Sequence, residues 1–219
     1  MPVKLNKPRV LGVLAGEDFP VERLLSWANS AEIVLAADGA ANRLISVGFI
    51  PDTTVGDLDS IAESTKSAQR ELILNSDQNH TDCDKLLSLA QERGFVEVTL
   101  VGIEGDLVDH LLGSIASAAK SSQQIRIILR RGLAYILKGP CDHHFAFPPN
   151  TRLSLLPLTS CEGVNLQGVE WPLDQAELSP LGNMSLSNRG LGKIQFSIKL
   201  GTAVLFVAHP DLEAPHWHS

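Results

Sequence analysis

Cysteine is scarce: Cys83, Cys141 and Cys161 are the only three, widely spaced, with no Cys-x-x-Cys pair. An odd, scattered set argues against a disulfide framework or a zinc cluster and fits a reducing cytosol. Basic charge is also in deficit. The net charge of −7 leaves no broad basic face for nucleic acid. No apolar stretch is long enough to span a bilayer, and the start, Met1 to Arg9, carries no secretory-type apolar core with a cleavage site. We therefore expect a cytoplasmic protein with neither a membrane nor a nucleic-acid partner. The common nucleotide signatures are missing too. There is no Gly-x-x-x-x-Gly-Lys-Ser/Thr, which excludes the P-loop mechanism, and no Gly-x-Gly-x-x-Gly after the first apolar run. Gly190-Leu-Gly-Lys193 has only a glycine-lysine pair and reads as a hairpin turn.

What is present is an ordinary globular composition, 44% hydrophobic and 20% charged over 219 residues, enough to bury a core without staples. As far as about residue 140, short apolar runs alternate with helical spacing. Strands are expected at 10–15, 33–37, 53–55, 71–74, 96–101 and 125–129, and helices at 21–29, 40–47, 82–93 and 108–119. Strands separated by helices of this length predict βαβ units and a mainly parallel sheet. After Gly139-Pro140 the pattern turns to short strands broken by Pro, Gly and Asn, at 152–156, 164–166, 184–186, 193–198 and 203–207. The fold class is therefore α/β, a mainly parallel nucleotide-binding domain (1–140) followed by a small all-β sandwich (141–219). His209 to Ser219 reads as a polar tail.

Acidic residues gather where strands should end: Asp38, then Asp57 and Asp59, then Asp77 and Asp82, then Asp109. Ligands of open α/β sheets bind beyond the carboxyl ends of the strands. Carboxylates converging there repel one another unless a cation intervenes, and Mg²⁺ commonly links carboxylates to phosphates. Asp57 and Asp59, two apart in an extended segment, should point to one side. Blander readings stand beside these. Asp38-Gly39 is a turn signal, Thr81 with Asp84 fits a capping box, Asp106 with Asp109 fits a similar cap, and Asp82 with Lys85 fits a helix-face ion pair. His143-His144 and the tail histidines 216 and 218 lack the carboxylate or cysteine spacing of a metal site and read as solvent-exposed.

Taken in order, the acidic segments resemble the thiamine pyrophosphokinase family. The likeness rests on Ala37-Asp-Gly-Ala-Ala-Asn-Arg-Leu44, Pro51-Asp-Thr-Thr-Val-Gly-Asp-Leu-Asp-Ser-Ile61 and Asp77-Gln-Asn-His-Thr-Asp-Cys-Asp-Lys85. Gly105-Asp-Leu-Val-Asp-His110 adds a looser match. Ser154-Leu-Leu-Pro-Leu158, Gly168-Val-Glu-Trp-Pro-Leu173 and Ser185-Leu-Ser-Asn188 echo the family's substrate-binding domain, so the likeness covers nearly the whole chain.

The resemblance implies a homodimeric enzyme that transfers diphosphate from ATP to the hydroxyl of thiamine, releasing AMP. It implies Mg²⁺ held by Asp57, Asp59 and Asp82, and Asp38 near thiamine and diphosphate. Gln78, Thr81 and Lys85 would lie on the nucleotide and its phosphates, and Asp109 matches the acid of the fourth block. Ser187 and Asn188 match residues that contact thiamine across the dimer. Two departures stand out. Leu107 replaces the family's arginine in the fourth block, with Arg43, Lys85 or Arg130 as candidate substitutes. Arg189-Gly190 stands where some relatives carry an aromatic, while Trp171 is the aromatic nearby in sequence. Leu107 keeps open a different small acceptor, and a non-catalytic nucleotide or thiamine sensor is the further alternative.

Overall fold

The structure, a computed structural model, describes residues 9–17, 19–105 and 107–208. Asp106 and the expected polar tail with its histidines lie outside the described residues. Two compact units emerge, one over 9–130 and one over 131–208.

The first unit alternates β1 (Val10–Val13), α1 (Val21–Ser30), β2 (Ile33–Ala37), α2 (Asp38–Ser46), β3 (Thr53–Gly56), α3 (Glu63–Ala68), β4 (Leu72–Leu74), α4 (Asp82–Glu92), β5 (Glu97–Val101), α5 (Val108–Lys120) and β6 (Gln124–Leu129). Its strands lie in the order β6-β5-β1-β2-β3-β4, and each of these ladders is parallel. β1 is buried along its whole length, as are β2 and β5 after their first residues. That is why these strands read as unbroken apolar runs: a parallel sheet is covered on both faces. The chain leaves β1 toward β2 and later returns to its other side at β5. The topological switch therefore falls between β1 and β5, where such sheets open a crevice. There the backbones close tightly. Leu14 N–H donates to Val101 O at 2.8 Å and Gly16 N–H to Gly102 O at 2.9 Å. Gly102 has φ +83°, and a Cβ on it would stand 2.2 Å from Leu14 O, so only glycine fits.

The second unit contains β7 (Gly132–Lys138), β8 (Cys141–Ala146), β9 (Arg152–Pro157), β10 (Cys161–Val169), β11 (Leu173–Leu178), β12 (Ser185–Ile198) and β13 (Thr202–Ala208). The order is β7-β13-β9-β12-β10-β11, with β8 also on β12, and these ladders are antiparallel. β12 joins the two strand groups. Its first part pairs with β9 and its second with β8, while β10 takes its other edge. One apolar cluster is fed by both groups, with Leu137, Leu153, Leu155 and Leu205 meeting Leu166, Ile194 and Phe196. Each such side chain, fully buried, stabilises by about 1.5–3 kcal/mol.

Counted over the described residues the α/β fold is mixed, with six antiparallel ladders and five parallel. The expectation of a mainly parallel sheet is corrected accordingly. Residues beyond 131 pair antiparallel throughout, consecutive strands meeting only at β10 and β11 and the other ladders joining strands distant in sequence. Gly190–Lys193, expected as a hairpin turn, lies inside β12, which merges the separate strands expected at 184–186 and 193–198. Strands on both edges of β12 override the local turn signal. Elements α3, β7, β8 and β11 go beyond the sequence expectation. α3 has only six residues, too few for a propensity signal to carry.

Candidate active site

Asp38 does not mark a turn: it is the first residue of α2, directly after β2, and is 2% exposed. Its Oδ1 accepts the Gly39 N–H at 2.7 Å and its Oδ2 the Leu58 N–H at 2.9 Å. Gly56 makes room for it, since a Cβ there would sit 2.6 Å from the Asp38 carboxyl carbon. Leu58 takes φ +67°, a left-handed conformation costly for a branched side chain. That conformation turns the 57–59 segment back toward Asp38. Asn42, one helical turn after Asp38, braces the far side: its Nδ2 donates to Ser60 O at 2.7 Å and its Oδ1 accepts the Ala62 N–H at 3.0 Å.

The result is that Asp38, Asp57 and Asp59 each bring a carboxylate oxygen within 4.8 Å of the others. Asp57 and Asp59 do share one spot, but not because alternate residues of an extended strand share a side; the backbone reverses at Leu58 instead. Asp82 stands beside this trio rather than in it. All the donors are hard carboxylate oxygens, a set that suits a hard divalent cation with oxygen preference.

Electrostatics separates the four. Burial, more than any neighbour, pushes the Asp38 carboxyl above its ordinary range, with Asp82 and Asp57 adding to the effect against the two N–H donors. Burial likewise raises Asp82, opposed by Lys85 and reinforced by Asp57 and Asp59. Asp57 is held down, first by the Gln78 amide, whose Nε2 donates to its Oδ2 at 3.1 Å, and then by the Asp59 N–H.

The start of α4 supplies the next group. Thr81 and Asp84 form the capping box expected from the sequence, Thr81 Oγ1 accepting the Asp84 N–H at 3.1 Å and Asp84 Oδ2 accepting the Thr81 N–H at 3.1 Å. The box fixes the next residue, Asp82, at the positive end of the helix dipole. Lys85 Nζ lies 3.8 Å from Asp82 Oδ1, and its side chain is only 3% exposed. A buried ammonium beside carboxylates is costly to remove from water and is held by its partners. Cys83, next to Asp82, has its thiol pushed up to about 12, chiefly by burial, and so is inert as a nucleophile.

A cavity of about 450 Å³ opens over these groups, at the β1/β5 switch. Its walls are residues 14–16 after β1, Gly102 and Ile103 after β5, Asp57, Gln78, residues 80–83, Lys85, and Asp109, His110, Gly113 and Ser114 of α5. Asp57, Gln78, Thr81, Asp82, Lys85 and Asp109 are thus brought to one cavity, with Asp38 and Asp59 joined to it through Asp57. Asn42, Gly56 and His110 were not singled out from sequence. Asn42 carried a usable signal, lying four residues after Asp38 on one helix face.

Leu107 occupies the N-cap position of α5 and is 64% exposed. Of the three candidate substitutes for the arginine, Arg43 donates to the carbonyls of Gly16 and Phe19. Arg130 donates to the carbonyl of Glu17. Lys85 alone among the three lines the cavity.

In the second unit, Ser187 and Asn188 form a bulge in the β9/β12 ladder, with Ser187 at φ +59°. The Ser187 hydroxyl accepts from Arg152 Nη2 at 2.7 Å. Asn188 is 1% exposed and its amide is engaged within the unit. Among the described residues no helix is long and apolar enough to cross a membrane.

Residues 24–129 match the family described as thiamin pyrophosphokinase, catalytic domain, and residues 142–204 that described as thiamin pyrophosphokinase, vitamin B1 binding domain. The thiamine pyrophosphokinase of Bacillus subtilis is 24% identical over 186 residues, covering 80% of this chain and 86% of that protein. The crystal structure of thiamine pyrophosphokinase from Bacillus subtilis superposes with a TM-score of 0.76 at 23% identity, over 91% of this chain and 99% of that one. The yeast thiamin pyrophosphokinase structure gives 0.73 at 18% identity, over 93% and 87%.

Proposed function

The chain belongs to the thiamin pyrophosphokinase family, and we propose that it transfers the terminal diphosphate of ATP to the hydroxyl of thiamine, giving thiamine diphosphate and AMP. One observation carries this: Asp38, Asp57 and Asp59 converge within 4.8 Å beside a cavity that Asp82 and Lys85 also line. Such a concentration of carboxylate repels itself and is eased by positive charge among it, and a metal-bound polyphosphate supplies both the charge and a reason for the cavity.

The hydroxyl oxygen of thiamine bonds to the β-phosphorus as the bond from that phosphorus to its oxygen bridge with the α-phosphate breaks, and AMP departs with the electron pair. Asp57, Asp59 and Asp82 are proposed to hold Mg²⁺, which would offset the negative charge of the phosphates there. Lys85 takes the place of the missing arginine, its ammonium facing the phosphates. Thr81 and Gln78 orient the nucleotide, Gln78 by way of Asp57. Asp38 or Asp109 accepts the hydroxyl proton; burial already favours the protonated form of Asp38. Most of the acceleration comes from in-line positioning and electrostatic stabilisation.

The same proposal puts ATP and Mg²⁺ binding in residues 1–140 and thiamine binding, with Ser187 and Asn188, in a sandwich-like 141–219. It has the enzyme working as a homodimer in the cytoplasm. The test is direct: purified protein with Mg-ATP and thiamine should release AMP and form thiamine diphosphate in equal amounts. Thiamine binding without AMP release would make the protein a sensor. AMP release only with another alcohol would reassign the acceptor.

A further inference from the structure

The stretch after β1 forms one wall of the cavity at the β1/β5 switch, where Leu14, Ala15 and Gly16 line it together with Gly102 and Ile103. The two loops are in close contact. A Cβ on Gly16 would stand 2.0 Å from Glu104 O and 2.5 Å from Gly102 O, so main chain is pressed against main chain. Further on, Phe19 is buried and packs edge-on against Trp27 of α1, with ring centroids 4.7 Å apart. Between these anchors Ala15 and Glu17 are exposed, and arginines take the carbonyls. Arg43 of α2 donates through Nη1 to Gly16 O and through Nη2 to Phe19 O, the latter at 2.8 Å. Arg130, after β6, donates through Nη2 to Glu17 O at 3.2 Å, and its main-chain N–H to the Glu104 carboxylate.

Among the described residues Arg43 has no carboxylate partner; both of its bonds go to main-chain carbonyls. A guanidinium holds its donors in a fixed planar fork, which a compact ammonium on a flexible stem does not reproduce. Asp38 and Asn42, four residues apart, brace the acidic loop from one face of α2. Arg43, about 100° further round the helix, reaches the wall after β1 instead. One helix therefore sets the spacing between the acidic loop and this wall. The wall itself is uncharged at the cavity, being made of leucine, alanine, glycine and isoleucine, while the charged lining is on Asp57, Asp82, Lys85 and Asp109. A surface of small, uncharged residues suits the flat base and sugar of a nucleotide, and the charged lining suits its phosphates. Fixing such a wall in advance lowers the entropic cost of binding. We propose that Arg43 is a positioning residue that holds the wall against which the nucleoside end of ATP binds, and that its charge does not serve the phosphates. This deepens the proposed diphosphate transfer and rests on it for the choice of nucleotide.

The experiment titrates AMP and Mg-ATP into the full-length protein by calorimetry, without thiamine. It compares the parent with Arg43→Ala and Arg43→Lys, each with and without guanidinium chloride well below denaturing concentration. Arg43→Ala should weaken AMP and Mg-ATP by the same factor, about 10-fold or more, because the loosened wall meets the part that both share. Arg43→Lys should fall within about 3-fold of Arg43→Ala despite keeping the charge. Added guanidinium should recover about 3-fold or more in Arg43→Ala and nothing in Arg43→Lys, whose ammonium occupies the place. In turnover with thiamine, KM for Mg-ATP should rise in both variants while KM for thiamine stays within about twofold of the parent. Parental AMP affinity in Arg43→Lys overturns the inference, since charge alone would then suffice. A loss seen with Mg-ATP and not with AMP, or a parent that binds Mg-ATP but no AMP, overturns it too, because the wall would then contribute nothing to the nucleoside end. If Arg43→Ala fails to fold, Arg43→Lys decides the matter; if both fail, the two bonds are general structure and the inference falls. Nucleotide affinity that depends on Arg43 in a parent releasing no AMP with thiamine would sink the catalytic proposal and leave this one standing. Turnover by a parent whose nucleotide affinities ignore Arg43 would do the reverse, and a parent that binds neither nucleotide removes both.

Discussion

In residues 9–130 neighbouring strands run parallel; in residues 131–208 they run antiparallel, mostly between strands distant in sequence. The consequence is chemical. Parallel strands deliver loops and helix N-termini to one edge, and there the protein gathers Asp38, Asp57, Asp82 and Lys85 from separate stretches of chain. The antiparallel unit has no such edge. Its ladder carries an irregularity instead, the Ser187–Asn188 bulge, whose Asn188 amide holds the main chain of Trp171. Both units bury one polar side chain to set up an exposed neighbour. Asp38 fixes the Leu58 N–H and so the acidic loop, while Asn188 fixes Trp171.

Four measurements would break or sharpen that comparison. The largest effect is expected from Asp57→Asn, which should lower turnover by at least about 100-fold while moving the melting temperature by less than about 2 °C, because this side chain is partly exposed and braces nothing buried. A collapse in stability with it would make the acidic loop structural. Next comes Gly56→Ala. The added methyl would meet the Asp38 carboxyl at 2.6 Å, so turnover should fall about 10- to 100-fold together with a destabilisation of about 1–3 kcal/mol, read by denaturant melts. Full activity in that variant would mean Asp38 need not stay where it is.

Third is the pH dependence of stability. Asp38 and Asp82 are raised above 3.8 in the fold. Their stabilising contribution is complete below 3.8 and is lost as pH climbs through their folded values. Asp57, Asp77 and Asp84 are shifted down; their contribution is present above 3.8 and is lost as pH falls through the depressed values. Metal-free protein should therefore melt at a lower temperature once the pH has passed the folded values of Asp38 and Asp82 than just below them, a difference on the order of a few °C. Mg²⁺ should raise the melting temperature more at the higher pH, where these carboxylates are ionised. A metal effect independent of pH would argue against binding at the acidic cluster. The smallest effect is expected from Leu107→Arg, a gain of about 3- to 10-fold in kcat/KM if a guanidinium at the head of α5 can add to Lys85. No gain in a well-folded variant would mean that Lys85 already suffices.

The first unit was legible from sequence because its signals are local. Fully buried strands show as apolar runs, Thr81 and Asp84 announce a helix start, and Asp57 with Asp59 announces a charge that must be neutralised. The second unit was less so. Half-buried strands such as β8, Cys-Asp-His-His-Phe-Ala, carry a faint alternation, and Gly190 to Lys193 looks like a turn until its partners are known. Of the site, the charged members could be found in the sequence. Their supports could not, since Gly56 and Asn42 matter only through what they face.

Composition and motif order alone determined that this chain is an α/β protein with carboxylates at its strand ends and a different, strand-rich second half. Those properties follow from periodicity and charge, which each stretch of chain carries by itself. Only the tertiary structure decided that the acidic loop reverses at Leu58 instead of running extended, that β12 is one strand, and that the Asn188 amide is spent on Trp171. Each of these depends on hydrogen-bond partners from distant parts of the chain, and no local pattern specifies a partner.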